Sequence, residues 1–279
     1  MLRQNKYFSL LSGERVQPYK LEKISDVYSN ILNRKVDIDV FLPPGYETTR
    51  QNYPLLLLND GQDSTAVQLK ETLEKLTAKG QMCEIIVVGV YANHDRLLEY
   101  GVAHQPDYKD RGSRAADYTA FLTTELLPYI FYKYRANKVG NAIAGYSLGG
   151  LSAFDIGWNH AQNFSKIGVF SGAFWWRSKA YHEGYDDTHR IAHNMVEGYE
   201  SLPKLKFWFQ TGSHDETEDR NQNGIIDSID DTLDMITTLV KKGYRAFYDI
   251  YYTEIKNGKH EPATWAVAMP QFLTWAFGK

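Results

Sequence analysis

The sequence predicts an α/β fold, with a mostly parallel central sheet and helices on both faces. Two continuous apolar runs, at 53–58 and 85–90, have the signature of strands buried on both faces. Strand-like runs then alternate with segments of helical periodicity, and such alternation needs parallel strands joined by crossovers. The third observation is a glycine-rich turn at 145–149, placed between an apolar run and a helical pattern. No internal repeat, low-complexity tract or linker divides the 279 residues, so they read as one domain, 1–279.

Taken in order, residues 19–31 and 34–42 read as an antiparallel strand pair. The second shows period-2 alternation through Val36, Ile38 and Val40, and Pro43-Pro44-Gly45 ends it. The buried strand 53–58 follows. Thr65-Ala66-Val67-Gln68 has the form of a capping box opening a helix to about Ala78. After the strand 85–90, residues 117–134 read as a helix that Pro128 kinks or shortens. The strand before Ser147 and the helix after it come next, then a strand at 166–170. Residues 173–200 are irregular, aromatic and histidine-containing. A strand at 206–210 precedes a helix at 229–242, apolar at 229, 233, 236 and 240 and closed by Gly243. A strand at 244–253 and a helix at 264–277 complete the chain.

Gly145-Tyr146-Ser147-Leu148-Gly149 is a G-x-S-x-G motif in strand–turn–helix context. Such a turn forces its central residue into a strained conformation and lifts the serine hydroxyl above the sheet. A serine hydroxyl needs a base, and the base needs an orienting acid. In open α/β sheets both belong in loops at the carboxyl ends of strands. Asp215 follows the strand 206–210 and His260 follows the last strand, giving the order Ser147, Asp215, His260. Glu216 and then Asp219 are the rival acids. His160 ends the helix after Ser147, while His94 and His104 precede the serine. An oxyanion would need two backbone N–H donors: Leu148, after the serine, and Gln62, in the Asp60-Gly61 turn after strand 53–58.

These residues resemble the putative esterase family of α/β-hydrolases, which spans S-formylglutathione hydrolases, feruloyl and acetyl-xylan esterases, enterochelin esterases and mycolyltransferases. The likeness covers most of the chain. The strand ending in Asn59-Asp60-Gly61 looks like the family's (D/H)-G turn, and Arg96-Leu97-Leu98-Glu99-Tyr100 is similar to its R-x-x-E-Y segment. Gly212-Ser213-His214-Asp215 looks like its G-x-x-D acid, and Gly258-Lys259-His260 with Trp265 like its G-x-H followed by W. The Asp-Gly form leans toward the enterochelin-esterase and mycolyltransferase members. The resemblance implies the α/β-hydrolase fold and ester hydrolysis at an exposed serine, but no particular ester. Arg96 and Glu99 are expected to pair with each other and shape their loop.

A second pattern lies at 219–230. Numbered as an EF-hand-type loop, oxygens fall at Asp219, Asn221, Asn223, the Ile225 carbonyl, Asp227 and Asp230, with Gly224 at the turn. Aspartate at the last position resembles dockerin-type loops. The hard oxygen set selects calcium, in a structural role pinning the turn that carries Asp215; an ordinary polar Asn-Gly turn is the other reading. No organic cofactor is expected.

A net charge of −3, with no basic stretch interleaved with aromatics, argues against a nucleic-acid partner. The single cysteine, Cys83, excludes an intrachain disulfide and a cysteine-based zinc site. The first eight residues lack the apolar stretch of a secretory signal, and no window is apolar enough to span a membrane. The chain therefore reads as cytoplasmic, with a trimmed signal left open. With 39 aromatic residues (13 Phe, 6 Trp, 20 Tyr), some rings are available to line a pocket for a bulky ligand. The expected activity is hydrolysis of a small-molecule or carbohydrate ester. Acyl transfer on the same residues and a non-catalytic, calcium-stabilised binding protein are the alternatives. Nothing in the residues signals an oligomeric state.

Overall fold

The computed structural model describes residues 18–279; the reading of the first eight residues lies outside them. Eight strands form one sheet: β1 (Lys20–Ser29), β2 (Arg34–Leu42), β3 (Leu55–Asn59), β4 (Ile86–Val90), β5 (Asn141–Tyr146), β6 (Phe164–Phe170), β7 (Lys206–His214) and β8 (Ile250–Lys259). Their spatial order is β1-β2-β4-β3-β5-β6-β7-β8. β1 and β2 pair antiparallel, as does β2 with β4, and every pair from β4 to β8 is parallel.

Helices cover both faces because the central strands are apolar on both. Alternate residues of β3 divide between two cores: Leu55 and Leu57 face one, Leu56 and Leu58 the other. The second core packs against α1 (Leu69–Ala78) and α8 (Pro262–Phe277). The first lies under a long helix at 115–133, α5 (Leu148–Asn159), α6 (Ile191–Gly198) and α7 (Asp227–Lys242). A short α2 (Arg96–Glu99) follows β4. Among the described residues, no helix is long and apolar enough to cross a membrane.

Four local expectations need correction. The capping box at 65–68 does not form: Gln68 is left-handed at φ 53° with no side-chain cap, and α1 starts at Leu69. The residues before it make tight turns instead, the Val67 N–H donating to the Asp63 carbonyl (3.0 Å) and the Gln68 N–H to the Thr65 carbonyl (3.1 Å). The helix around Pro128 is not shortened, but its regular winding is interrupted. It runs as α3 (Ala115–Ala120), a π-helical segment Phe121–Leu126 and α4 (Leu127–Lys133). The wider turn precedes Pro128, whose missing N–H cannot close an ordinary one. Helix α7 is rotated from the expected stripe. Ile229, Thr232, Met235 and Leu239 are buried, while Val240 is 42% exposed, because the first turns aim Asp231 at two arginines. The last strand starts at Ile250; residues 244–249 make a turn closed by Arg245 and Asp249 (2.9 Å).

Candidate active site

The turn between β5 and α5 sets the geometry. Ser147 has φ 53° and ψ −123°, a conformation costly for a residue with a Cβ. Its N–H donates to the Phe170 carbonyl (2.8 Å), and its own carbonyl accepts from Gly150, Leu151 and Ala173. Gly145 is required by close approach: a Cβ there would sit 2.2 Å from the Gly149 oxygen. The Ser147 hydroxyl lies 2.8 Å from His260 Nε2. His260 comes directly after β8 and ahead of Pro262, the first residue of α8. The Trp265 indole meets the imidazole edge-on at 5.6 Å and stacks on Tyr146 at 4.8 Å.

Asp215 follows β7 directly, since that strand runs on to His214. Its Oδ2 accepts the Gly212 N–H at 2.8 Å, while Oδ1 is buried with no hydrogen-bond partner among the described residues. The acid thus reaches His260 through its field rather than through a hydrogen bond. Burial raises the Asp215 pKa, opposed by the Gly212 N–H, the Ser171 hydroxyl and the nearby imidazole. The His260 pKa is lowered, first by desolvation of its ring and further by the Arg96 charge, while Asp215 pulls it upward. An open edge of the residue still reaches solvent. The rival acids point elsewhere. Glu216 lines a neighbouring cavity, and Asp219 accepts the Asn223 and Gly224 N–H groups within its own loop.

Leu148 is the first residue of α5, so helix geometry leaves its N–H without an intrahelical acceptor. Gln62 occupies the middle of a 3-10 turn, Gly61–Asp63, seated on β4. Gly61 permits that seat, because a Cβ there would lie 2.3 Å from the Gly89 carbonyl carbon. The Gln62 side chain is held between Asp60 (3.2 Å) and the Ala92 N–H (3.0 Å). Arg96 and Glu99 do not pair with each other. Arg96 grips the buried Asp60 carboxylate with two bonds of 2.7 and 2.8 Å, and Glu99 receives Arg34 at 2.9 and 2.5 Å. The bidentate Asp60–Arg96 pair therefore braces the Gln62 turn.

The sequence matches the family described as Putative esterase from residue 29 to residue 276. The chain belongs to this esterase family. The esterase is a carboxylic ester hydrolase, and its sheet and helices are those of the α/β-hydrolase fold. It is 26% identical over 147 residues to uncharacterized protein YbbA of Bacillus subtilis (strain 168), covering 50% of this chain but only 58% of YbbA. Protein YjcH of the same organism is 22% identical over 241 residues, 85% of this chain and 90% of that one. Among solved structures, a ferulic acid esterase superposes with a TM-score of 0.71 at 21% identity, covering 94% of this chain and 98% of that one. The enterobactin esterase FES from Shigella flexneri superposes with a TM-score of 0.70 at 19% identity, covering 92% of this chain and 58% of that one. These superpositions show a shared fold.

In the esterase's 219–230 loop, Asp219, Asn221, Asn223 and Asp230 come together. Both asparagine amides donate to Asp230 (3.0 and 2.8 Å), and the Ile225 N–H donates to Asn223. Asp227 is drawn away, because Arg220 binds it through its N–H (2.9 Å) and its guanidinium (3.2 Å). The six-member ligand set expected from spacing is thus reduced by one carboxylate. No cluster of three or more His, Cys, Asp or Glu side chains suited to a metal ion occurs among the described residues. Two participants escaped the sequence reading. Ser171, left-handed at φ 46°, accepts the Trp265 indole N–H (3.1 Å) beside Asp215. Asp60 was visible only as a turn residue. Its pairing with Arg96, 36 positions away, leaves no periodic signal.

Proposed function

We propose that the esterase hydrolyses a small-molecule carboxylic ester through a Ser147–His260–Asp215 triad. The observation that carries this reading is the 2.8 Å contact between Ser147 Oγ and His260 Nε2 on a strained strand–helix turn. His260 takes the serine proton as Oγ attacks the ester carbonyl. The resulting oxyanion is met by the Leu148 and Gln62 N–H groups, one at a helix N-terminus and one on the braced turn. The imidazolium returns its proton to the leaving alcohol, and water then cleaves the acyl-enzyme by the same route. As His260 becomes charged it draws in the unpartnered Asp215 Oδ1, supplying the hydrogen bond that the resting geometry leaves open. Ser147→Ala is expected to lower p-nitrophenyl acetate turnover by at least about 10³-fold and to abolish fluorophosphonate labelling. A folded variant with near wild-type turnover would overturn the mechanism.

We also infer that the 219–230 loop takes a structural calcium ion. The donors would be oxygens of Asp219, Asn221, Asn223 and Asp230 with the Ile225 carbonyl, Asp227 remaining on Arg220. The support is the hard-oxygen donor set and the absence of a cationic partner for Asp219 and Asp230 among the described residues. No catalytic step depends on this ion.

A further inference from the structure

The loops leaving the carboxyl ends of β4, β6 and β7 enclose a cavity of about 240 Å³ beside the acid loop. Tyr108 comes from the first loop, Trp175, Arg177 and Tyr181 from the second, and Glu216 from the third. The second loop is also the one whose Ala173 N–H binds the Ser147 carbonyl (3.3 Å), and Glu216 directly follows Asp215. The cavity therefore opens on the same edge of the sheet as the serine.

Arg177 is the unusual wall of this cavity. Its guanidinium lies 3.8 Å from the Tyr181 ring centre and 4.9 Å from that of Tyr108. Among the described residues its terminal nitrogens make only long contacts, 3.4 Å each, to the Trp175 carbonyl and the Tyr108 hydroxyl, and its Nε is buried with no partner. Of the other charges lining the cavity, Arg111 is held by Asp107 (2.7 Å), Asp227 is held by Arg220, Lys109 is exposed with its ammonium over the Tyr108 ring (5.4 Å), and Glu218 stands exposed at the rim. Glu216 Oε1 is likewise buried and unpartnered. Arg177 is half-buried and, among the described residues, has no anion beside it, and a carboxylate would satisfy its Nε and a terminal nitrogen together. A protonated Glu216 would donate to the second carboxylate oxygen; burial, with Asp227, Glu218 and Asp231 nearby, pushes its pKa up to about 7. The rings of Tyr108, Trp175 and Tyr181 supply flat apolar walls, and the volume suits a single ring.

We propose that this cavity binds a carboxylate carried by the ester itself, on a one-ring portion of the substrate, and that Arg177 selects it. The assignment rests on Ser147 being the nucleophile, so its test has a kinetic arm and a binding arm. In the kinetic arm, kcat/KM is compared for 4-acetoxybenzoate and 4-acetoxybenzamide, which place the group on the leaving alcohol. It is also compared for mono(4-nitrophenyl) terephthalate and 4-nitrophenyl 4-carbamoylbenzoate, which place it on the acyl side. One pair should favour the acid by about 10- to 100-fold, the worth of one charged hydrogen-bonded contact. Arg177→Gln should erase that ratio, and Arg177→Lys should restore part of it, which a merely misfolded site would not. In the binding arm, Ser147→Ala is titrated by calorimetry with 4-hydroxybenzoate and 4-hydroxybenzamide. The acid should bind at least about tenfold more tightly, and adding Arg177→Gln should remove the difference. Equal treatment of acid and neutral partner in both arms, or a preference that survives Arg177→Gln, overturns the proposal. Turnover of none of the esters, with acid-selective binding intact, would instead sink the serine mechanism and leave the cavity assignment standing.

Discussion

The imidazole of His260 is poised by two charges and a wall of protein. Desolvation and the Arg96 charge disfavour the imidazolium, and Asp215 favours it, leaving the pKa below its ordinary value. In the proposed mechanism the neutral ring is the base, so activity should be lost as pH falls through that pKa. The acid limb of kcat/KM should therefore have its midpoint below about 6.5. Asp215→Asn removes the influence that raises the pKa, so the limb should move to still lower pH. The variant should also lose about 10²- to 10⁴-fold in kcat, because the ring loses its orienting partner. A pH–rate profile checks both. A limb moving upward, or an unaffected kcat, would assign the acid elsewhere, with Glu216→Gln the next variant to measure. The placement of Ser147, Asp215 and His260 at strand ends was legible in the sequence, because strand ends can be read from apolar runs. Arg96 and Ser171 were not legible in their roles. Their partners are remote in sequence, and one works through a positive φ that no composition rule marks.

Helix α7 and the loop before it show how a local pattern is overruled by a tertiary charge network. The 219–230 spacing is that of a cation loop, yet Arg220, its second residue, claims Asp227 and also Asp231 (2.5 Å). Arg190 reaches Asp231 (3.4 Å) and Asp234 (2.6 Å) from the start of α6. This network rotated the buried face of α7 away from its apolar periodicity, which a reading of hydrophobic residues alone could not anticipate. It also anchors one side of the loop whether or not an ion is present. Calcium should accordingly stabilise the fold by mass action, about 2.7 kcal/mol at 100 times its Kd, with little change in kcat. Thermal melting in chelator and then in excess calcium should show a rise of a few degrees. Asp219→Ala should abolish that rise. Equal melting temperatures in chelator and calcium would leave the segment as a polar turn closed by its own hydrogen bonds. The shifted start of β8 has a similar origin, since the Arg245–Asp249 pair turns residues 244–249 that read as strand by composition.

Across the whole molecule, the two cores were the most legible feature, because runs such as Leu55-Leu56-Leu57-Leu58 can be buried only between two layers. The order of the strands was less so: chain alternation implies parallel pairing but does not say which strand lies at an edge. That order places β8 at the end of the sheet, hydrogen-bonded among the described residues only to β7. Ser147 rides on β5, near the middle, and Asp215 on β7. The proposed proton carrier, His260, is thus tethered to the flank that can come away alone, while the proposed nucleophile, Ser147, is tethered to the middle of the sheet, which should come away last. Loss of function and loss of structure should then be separable events. In rising urea, ester hydrolysis should fall at a lower concentration than the far-ultraviolet circular dichroism. Amides of β8 should exchange with deuterium sooner than those of β5. Coincident transitions would mean that the flank opens only together with the entire sheet. If they separate, partial denaturation would yield a folded protein that still displays its serine and cannot deprotonate it, and dilution would bring activity back within the time a single strand needs to zip home.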